Sequence, residues 1–126
     1  MKSKLNKKIE AQKAQVLIDA LVLLSGYWKL DQARLGRIIG KSTATISRML
    51  DGKTTIDPDS KSGELALYLI RVSRSLNALM GDRYSVQRQW LSTDNKAFNC
   101  SPLEALTTAQ GLVEVVSYLD AMRGKI

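Results

Sequence analysis

The fold is decided by residues 32–51, which read Gln-Ala-Arg-Leu-Gly-Arg-Ile-Ile-Gly-Lys-Ser-Thr-Ala-Thr-Ile-Ser-Arg-Met-Leu-Asp. Apolar residues recur at helical spacing in two stripes, Leu35 and Ile39, then Ile46, Met49 and Leu50. Gly40 lies between the stripes, where a residue with positive φ ends a helix at least steric cost. The stretch therefore predicts a helix-turn-helix, and DNA is the first partner to consider.

The second helix of this motif carries the side chains that would face DNA. Ser42 or Thr43 is predicted to cap it by accepting a hydrogen bond from an amide of its first turn. Gly36 stands where the two helices approach closely and where the motif usually has Ala; it satisfies the size limit but costs about 1 kcal/mol of helix propensity. Arg48 is the long side chain suited to reading bases. The predicted DNA-binding residues are Lys41, Ser42, Thr43, Thr45, Ser47, Arg48 and Lys53.

The net positive charge of the chain lies entirely in the half that contains this motif. Residues 1–53 hold 11 of the 19 lysines and arginines and 4 of the 12 acidic residues, a net charge of +7, whereas residues 54–126 hold eight of each and are neutral. This asymmetry fits contacts to DNA phosphates. A solvated, frayed N-terminus explains the early lysines equally well. The basic residues that remain around the predicted reading helix are Lys29, Arg34, Arg37, Lys41, Arg48 and Lys53. We expect a DNA-binding region over 1–53 and a second helical region over 54–126.

The composition argues against an enzyme, a metal site and a bound cofactor. The chain has no histidine, the commonest general base and metal ligand, and a single cysteine, Cys100. No glycine-rich phosphate loop is present. The longest apolar stretch, 16–24, is interrupted by Asp19 and is too short to cross a bilayer. Because the N-terminus lacks the apolar run of a secretory signal, we expect a cytoplasmic protein without membrane contact.

The remaining pattern predicts helices throughout. They cover 9–28, 63–80, 85–91 and 111–122, with a short helix after the Ser101-Pro102-Leu103-Glu104 start signal. The first helix is expected to bury Val16, Ala20, Leu23 and Leu24, with Leu17 and Leu21 beside them. The apolar face of helix 63–80 is interpreted as intrachain core rather than a dimer seam. Both long helices stay candidates for a homodimer interface.

The C-terminal half resembles the Xre/MbcA/ParS-type antitoxins. The resemblance rests on Trp90-Leu91, Asn95, Phe98, the start signal at 101–106, Gly111-Leu-Val-Glu-Val-Val and Tyr118-Leu-Asp-Ala-Met-Arg-Gly-Lys. The stretch Asp59-Ser-Lys-Ser-Gly-Glu-Leu-Ala-Leu is similar to the segment that follows the Xre-like helix-turn-helix of that family. The match covers about residues 15–126, and the C-terminal pattern is its specific part.

The resemblance implies an all-α protein with an N-terminal helix-turn-helix bundle and a small helical C-terminal toxin-binding domain. It also implies a type II antitoxin that silences a RES-domain, NAD-consuming toxin and represses the shared operon by binding its operator DNA. In that family the C-terminal segment covers the toxin's active-site cleft, and Arg123 and the terminal carboxylate are expected to anchor there. The corresponding residues here are Tyr118, Met122, Arg123, Gly124, Lys125 and Ile126. We expect a homodimer within a larger toxin–antitoxin complex, because one recognition helix reads only a few base pairs.

Two other functions fit the same sequence. A stand-alone helix-turn-helix repressor, whose C-terminal half serves only dimerisation, explains the charge asymmetry equally well. A binding module that uses its helix-turn-helix for assembly, without touching DNA, is the second alternative. An enzyme ranks below both, because catalysis would have to proceed without histidine or a paired cysteine.

Overall fold

The computed structural model describes residues 3–124, and within this range the protein is all-α, as predicted. Its one β-type pairing there is an isolated bridge between Asn95 and Cys100. The helices are α1 (Lys4–Trp28), α2 (Gln32–Ile39), α3 (Thr43–Leu50), α4 (Lys61–Met80), α5 (Tyr84–Ser92), α6 (Pro102–Ala105) and α7 (Ala109–Met122).

Helix α1 differs from the prediction in its start and in the face that it buries. It begins five residues early, at Lys4, because the Ser3 side chain accepts a hydrogen bond from the Asn6 amide at 3.2 Å. Val16 and Leu23 are 67% and 56% exposed. The core-facing residues are Leu17, Ile18, Leu21 and Leu24. The apolar run is almost continuous here, so periodicity alone could not select between the two faces.

Helices α2 and α3 form the predicted helix-turn-helix. Asp31 caps α2 by accepting from the Arg34 amide at 2.7 Å, and Ser42 caps α3 by accepting from the Thr45 amide at 3.2 Å. Gly40 has φ of 76°, as the turn requires. At Gly36 a Cβ atom would lie under 3.0 Å from the Lys41 carbonyl oxygen, so alanine does not fit without movement of the turn. Glycine is therefore the residue that this turn needs.

Helix α4 is the centre of the molecule and packs against α1, α2 and α7. It begins at Lys61, two residues before the predicted start, because Ser60 accepts from the Gly63 amide at 3.1 Å. Its fully buried apolar residues are Ala66, Leu69, Val72 and Leu76. The interpretation of this helix as intrachain core is confirmed, although Leu67 and Leu79 keep 49% and 37% of their surface exposed.

The C-terminal helices share one core with the helix-turn-helix. The completely buried Gln87 accepts from the Trp28 indole N–H at 2.9 Å and donates to the Asn77 side-chain oxygen at 2.7 Å, joining α5 to α1 and α4. Ser101 caps α6 as predicted, by accepting from the Glu104 amide at 3.2 Å. Met122, the last residue of α7, is 54% exposed. No helix within residues 3–124 is long and apolar enough to cross a membrane.

Candidate functional site

The exposed face of α3 is the candidate DNA-reading surface. Thr43 and Arg48 are exposed and Ser47 is half-buried, so these three side chains reach solvent from one short helix. Ser42 and Thr45 are engaged with each other, because the Ser42 hydroxyl donates to Thr45 Oγ1 at 2.9 Å while it caps the helix. The structure therefore gives Ser42 and Thr45 a part in holding the N-terminus of α3, in addition to the DNA contact predicted for them.

Basic side chains flank this surface on both sides. Lys41 lies in the turn before α3 and Lys53 follows its end, and both are exposed. The Lys53 amide donates to the Arg48 carbonyl at 2.8 Å, which fixes the chain direction directly after α3. Arg34 is less available than the sequence suggested, since it forms an ion pair with Glu104 at 3.8 Å and its side chain is 29% exposed. That pair joins α2 to α6.

The second candidate surface is the end of α7. Tyr118 is half-buried in a cluster of three aromatic rings, stacked on Trp90 with centroids 6.3 Å apart and edge-on to Phe98 at 5.2 Å. Such ring pairs add stability beyond the area that they bury. The cluster anchors α7 to α5, through Trp90, and to the segment between α5 and α6, through Phe98. Tyr118 therefore offers only part of its surface to a partner.

After the buried Leu119 the chain becomes more accessible, except at Arg123. Met122 and Gly124 are exposed, and Gly124 has φ of 72°, outside the helical range. Arg123 is half-buried, and its guanidinium donates a hydrogen bond to the Ser75 hydroxyl at 3.0 Å. Lys125 and Ile126, which were predicted to contact the toxin, lie outside the described residues.

Sequence reasoning gave no indication of the contact between Ser75 and Arg123. The two residues are 48 positions apart and meet only because α7 packs on α4.

Within residues 3–124 no group of three or more potential metal ligands comes together.

The two candidate surfaces lie in regions that match two known protein families. Residues 8–71 match the antitoxin Xre-like helix-turn-helix domain, a span of just over half the chain that contains α2 and α3. The chain belongs to the Xre/MbcA/ParS antitoxin family. Residues 75–125 match the antitoxin Xre/MbcA/ParS C-terminal toxin-binding domain. No curated protein matches the chain at a significant level.

The two family matches meet inside α4 of the antitoxin. The first ends at residue 71 and the second begins at residue 75, whereas α4 spans Lys61–Met80. One continuous helix is therefore shared by the helix-turn-helix and toxin-binding regions. Because α4 packs against both α2 and α7, it connects the helix-turn-helix to the helix that carries the second candidate surface.

Proposed function

We propose that this chain is the antitoxin of a type II toxin–antitoxin system, binding and occluding a RES-domain toxin that degrades NAD and repressing its own operon. The observation that carries the proposal is the pairing of an exposed reading helix with a toxin-binding domain whose last helix ends in exposed residues. The protein would need no catalytic group or cofactor of its own, since it would act by covering the active site of another protein. Both partners would be met in the cytoplasm.

Occlusion of the toxin is assigned to the segment 118–126. Tyr118 fixes the base of the segment through its ring contacts, and Met122 offers an apolar side chain beyond it. Gly124 has φ of 72°, outside the helical range, so the helix does not continue through it. A rigid base followed by an exposed end is suited to entering a cleft, because little conformational freedom is lost in the anchored part.

Repression is assigned to α3 together with the basic residues around it. Arg48 would read a base edge, Thr43 and Ser47 would make short polar contacts, and Lys41 and Lys53 would contact phosphates. Such an interface has few base contacts, so its affinity would fall steeply with salt and its specificity would come from two copies on one operator. We therefore propose a homodimer within the toxin–antitoxin complex.

The opening helix is the better supported of the two candidate dimer surfaces. The apolar face of α4 is largely used inside the chain, whereas α1 leaves several large apolar residues exposed. Those that lie outside the groove between α1 and α4 include Leu5, Val22 and Leu23. Replacing Leu23 by Ser should shift the sedimentation equilibrium toward monomer and weaken operator binding, without a loss of helical content.

The proposal is tested by co-expressing the chain with the product of the neighbouring gene, purifying the complex and measuring cellular NAD. A stable complex and preserved NAD are the expected results. If the chain binds its promoter in a salt-dependent gel shift but neither binds the neighbouring protein nor relieves toxicity, it is a stand-alone repressor. If it binds the toxin but no promoter DNA, the helix-turn-helix serves assembly instead.

A further inference from the structure

A concave surface lined by arginines lies where the end of α7 meets α4. It has a volume of about 320 Å³ and is formed by Arg71, Arg74, Ser75, Asp120 and Arg123. Three guanidinium groups face one carboxylate there, which leaves a net positive charge. We call this surface the arginine concavity. Except for Arg123, none of its residues belongs to the predicted DNA-binding or toxin-binding sets.

Two of the three guanidinium groups are held in place by the protein itself. Arg71 is ion-paired with Asp120, whose side chain is 19% exposed, and Arg123 donates to the Ser75 hydroxyl. Ser75 is only 2% exposed, so its position is fixed by the packing of α4. Because Arg71 and Arg123 are oriented in advance, a ligand that contacts them would lose less affinity to the ordering of side chains.

The third guanidinium has no counter-charge. Arg74 is exposed and makes no hydrogen bond or ion pair with any residue in the range 3–124. It lies one helical turn after Arg71, on the same face of α4. A guanidinium presents five N–H donors in a planar fork that matches the two oxygens of a carboxylate or a phosphate. The charge and the donors of the arginine concavity are therefore suited to an oxyanion.

The position of the arginine concavity favours the toxin over DNA as the source of that oxyanion. The turn of the helix-turn-helix abuts the start of α4, near Ser62 and Leu65. Arg74 lies nine residues after Leu65 in the same helix, about 13 Å farther along its axis. The opposite wall of the concavity, formed by Asp120 and Arg123, belongs to the region that matches the toxin-binding domain.

An apolar groove leads into the arginine concavity. It lies between the first half of α1 and α4, has a volume of about 710 Å³, and shares Arg71 and Arg74 with the concavity. Ile9, Val16 and Leu67 are among its apolar lining residues. A protein segment that carries an acidic residue beside apolar ones would match both parts, whereas a small free anion would match only the concavity.

We propose that the arginine concavity receives an aspartate or glutamate side chain of the toxin, with Arg71, Arg74 and Arg123 as its donors. Asp120 positions Arg71 and Ser75 positions Arg123. This inference rests on the proposed function, in which the C-terminal region binds a toxin. It adds a second contact that lies on α4, outside the segment 118–126.

The test compares the toxin affinity of Arg74→Glu with that of Arg83→Glu, a matched charge reversal at an exposed arginine outside the arginine concavity. Titration calorimetry with the purified toxin should give a dissociation constant at least about tenfold higher for Arg74→Glu than for the control. Raising the salt concentration should weaken the wild type more than Arg74→Glu. In a scan of acidic toxin residues changed to lysine, one change should restore binding to Arg74→Glu. Equal affinities of the two arginine variants, or a scan in which no lysine restores binding, would overturn the inference.

Inorganic pyrophosphate distinguishes a free anion from a toxin side chain. If pyrophosphate binds the isolated wild-type chain but not Arg74→Glu, while the two chains bind toxin equally, the ligand is a small anion and the toxin assignment is wrong. If the wild type binds no toxin at all, the proposed function itself fails. That outcome is distinct from an intact complex that is insensitive to Arg74.

Discussion

Replacing Gly36 by alanine should destabilise the protein, although alanine is the better helix former. The new Cβ would lie under 3.0 Å from the Lys41 carbonyl oxygen and 3.4 Å from Ile46 Cγ1, between α2 and α3. Overpacking of this kind costs about 1–3 kcal/mol. Movement of the turn would also weaken the 2.8 Å hydrogen bond from the Lys41 amide to the Gly36 carbonyl, which contributes about 1 kcal/mol. The helix propensity of alanine offsets about 1 kcal/mol, so the free energy of unfolding should fall by about 1–3 kcal/mol.

The assay is urea and thermal unfolding followed by circular dichroism at equal protein concentrations, with Gly26→Ala as the matched control. Gly26 lies inside α1, and a Cβ there would meet nothing within 4 Å. The control should therefore gain about 0.5–1 kcal/mol from propensity alone. Each kcal/mol corresponds to about 3–6 °C in Tm at this chain length. A Gly36→Ala protein that is as stable as Gly26→Ala would refute the close approach inferred for the turn.

Three further substitutions test other parts of the structure. Arg48→Ala should lower operator affinity by about 1–3 kcal/mol in a binding titration and leave toxin affinity unchanged; unchanged operator affinity would remove Arg48 from the reading surface. Gln87→Leu should reduce the free energy of unfolding by about 1–3 kcal/mol, because the buried Trp28 indole N–H loses its acceptor; unfolding at the wild-type urea concentration would contradict this. Lys53→Ala should reduce the slope of log affinity against log salt concentration by about 1, for every DNA sequence tested alike. A salt slope equal to that of the wild type would mean that Lys53 contacts no phosphate.

The order of the helices and several of their ends could be predicted from the sequence, because capping and periodicity depend on residues that are close in the chain. The caps at Ser42 and Ser101 and the helix end at Gly40 are formed as expected. The start of α1 was missed because a run of lysines has the appearance of a frayed terminus, yet Ser3 caps a helix there. The buried face of α1 was misjudged since tertiary contacts with α4, not periodicity, select it.

The candidate functional residues also include some that local spacing could predict and some that depend on tertiary contacts. Thr43 and Arg48 could be assigned from the spacing of α3 alone, because a helix-turn-helix places its second helix outward. The ring cluster around Tyr118 and the contact of Arg123 with Ser75 join residues that are far apart in sequence. No local pattern encodes such pairs, so they could be found only once α7 had been placed against α4, Trp90 and Phe98. The arginine concavity depends on that same placement.

The most direct test of the central claim is the rate of NAD hydrolysis by the purified toxin as this chain is titrated into the reaction. The account predicts that hydrolysis stops at a stoichiometric ratio. A chain that lacks residues 123–126 should inhibit far less at the same ratio, while its helical content is retained. Undiminished hydrolysis in the presence of the full chain would contradict the antitoxin function, and complete inhibition by the shortened chain would contradict occlusion by this segment.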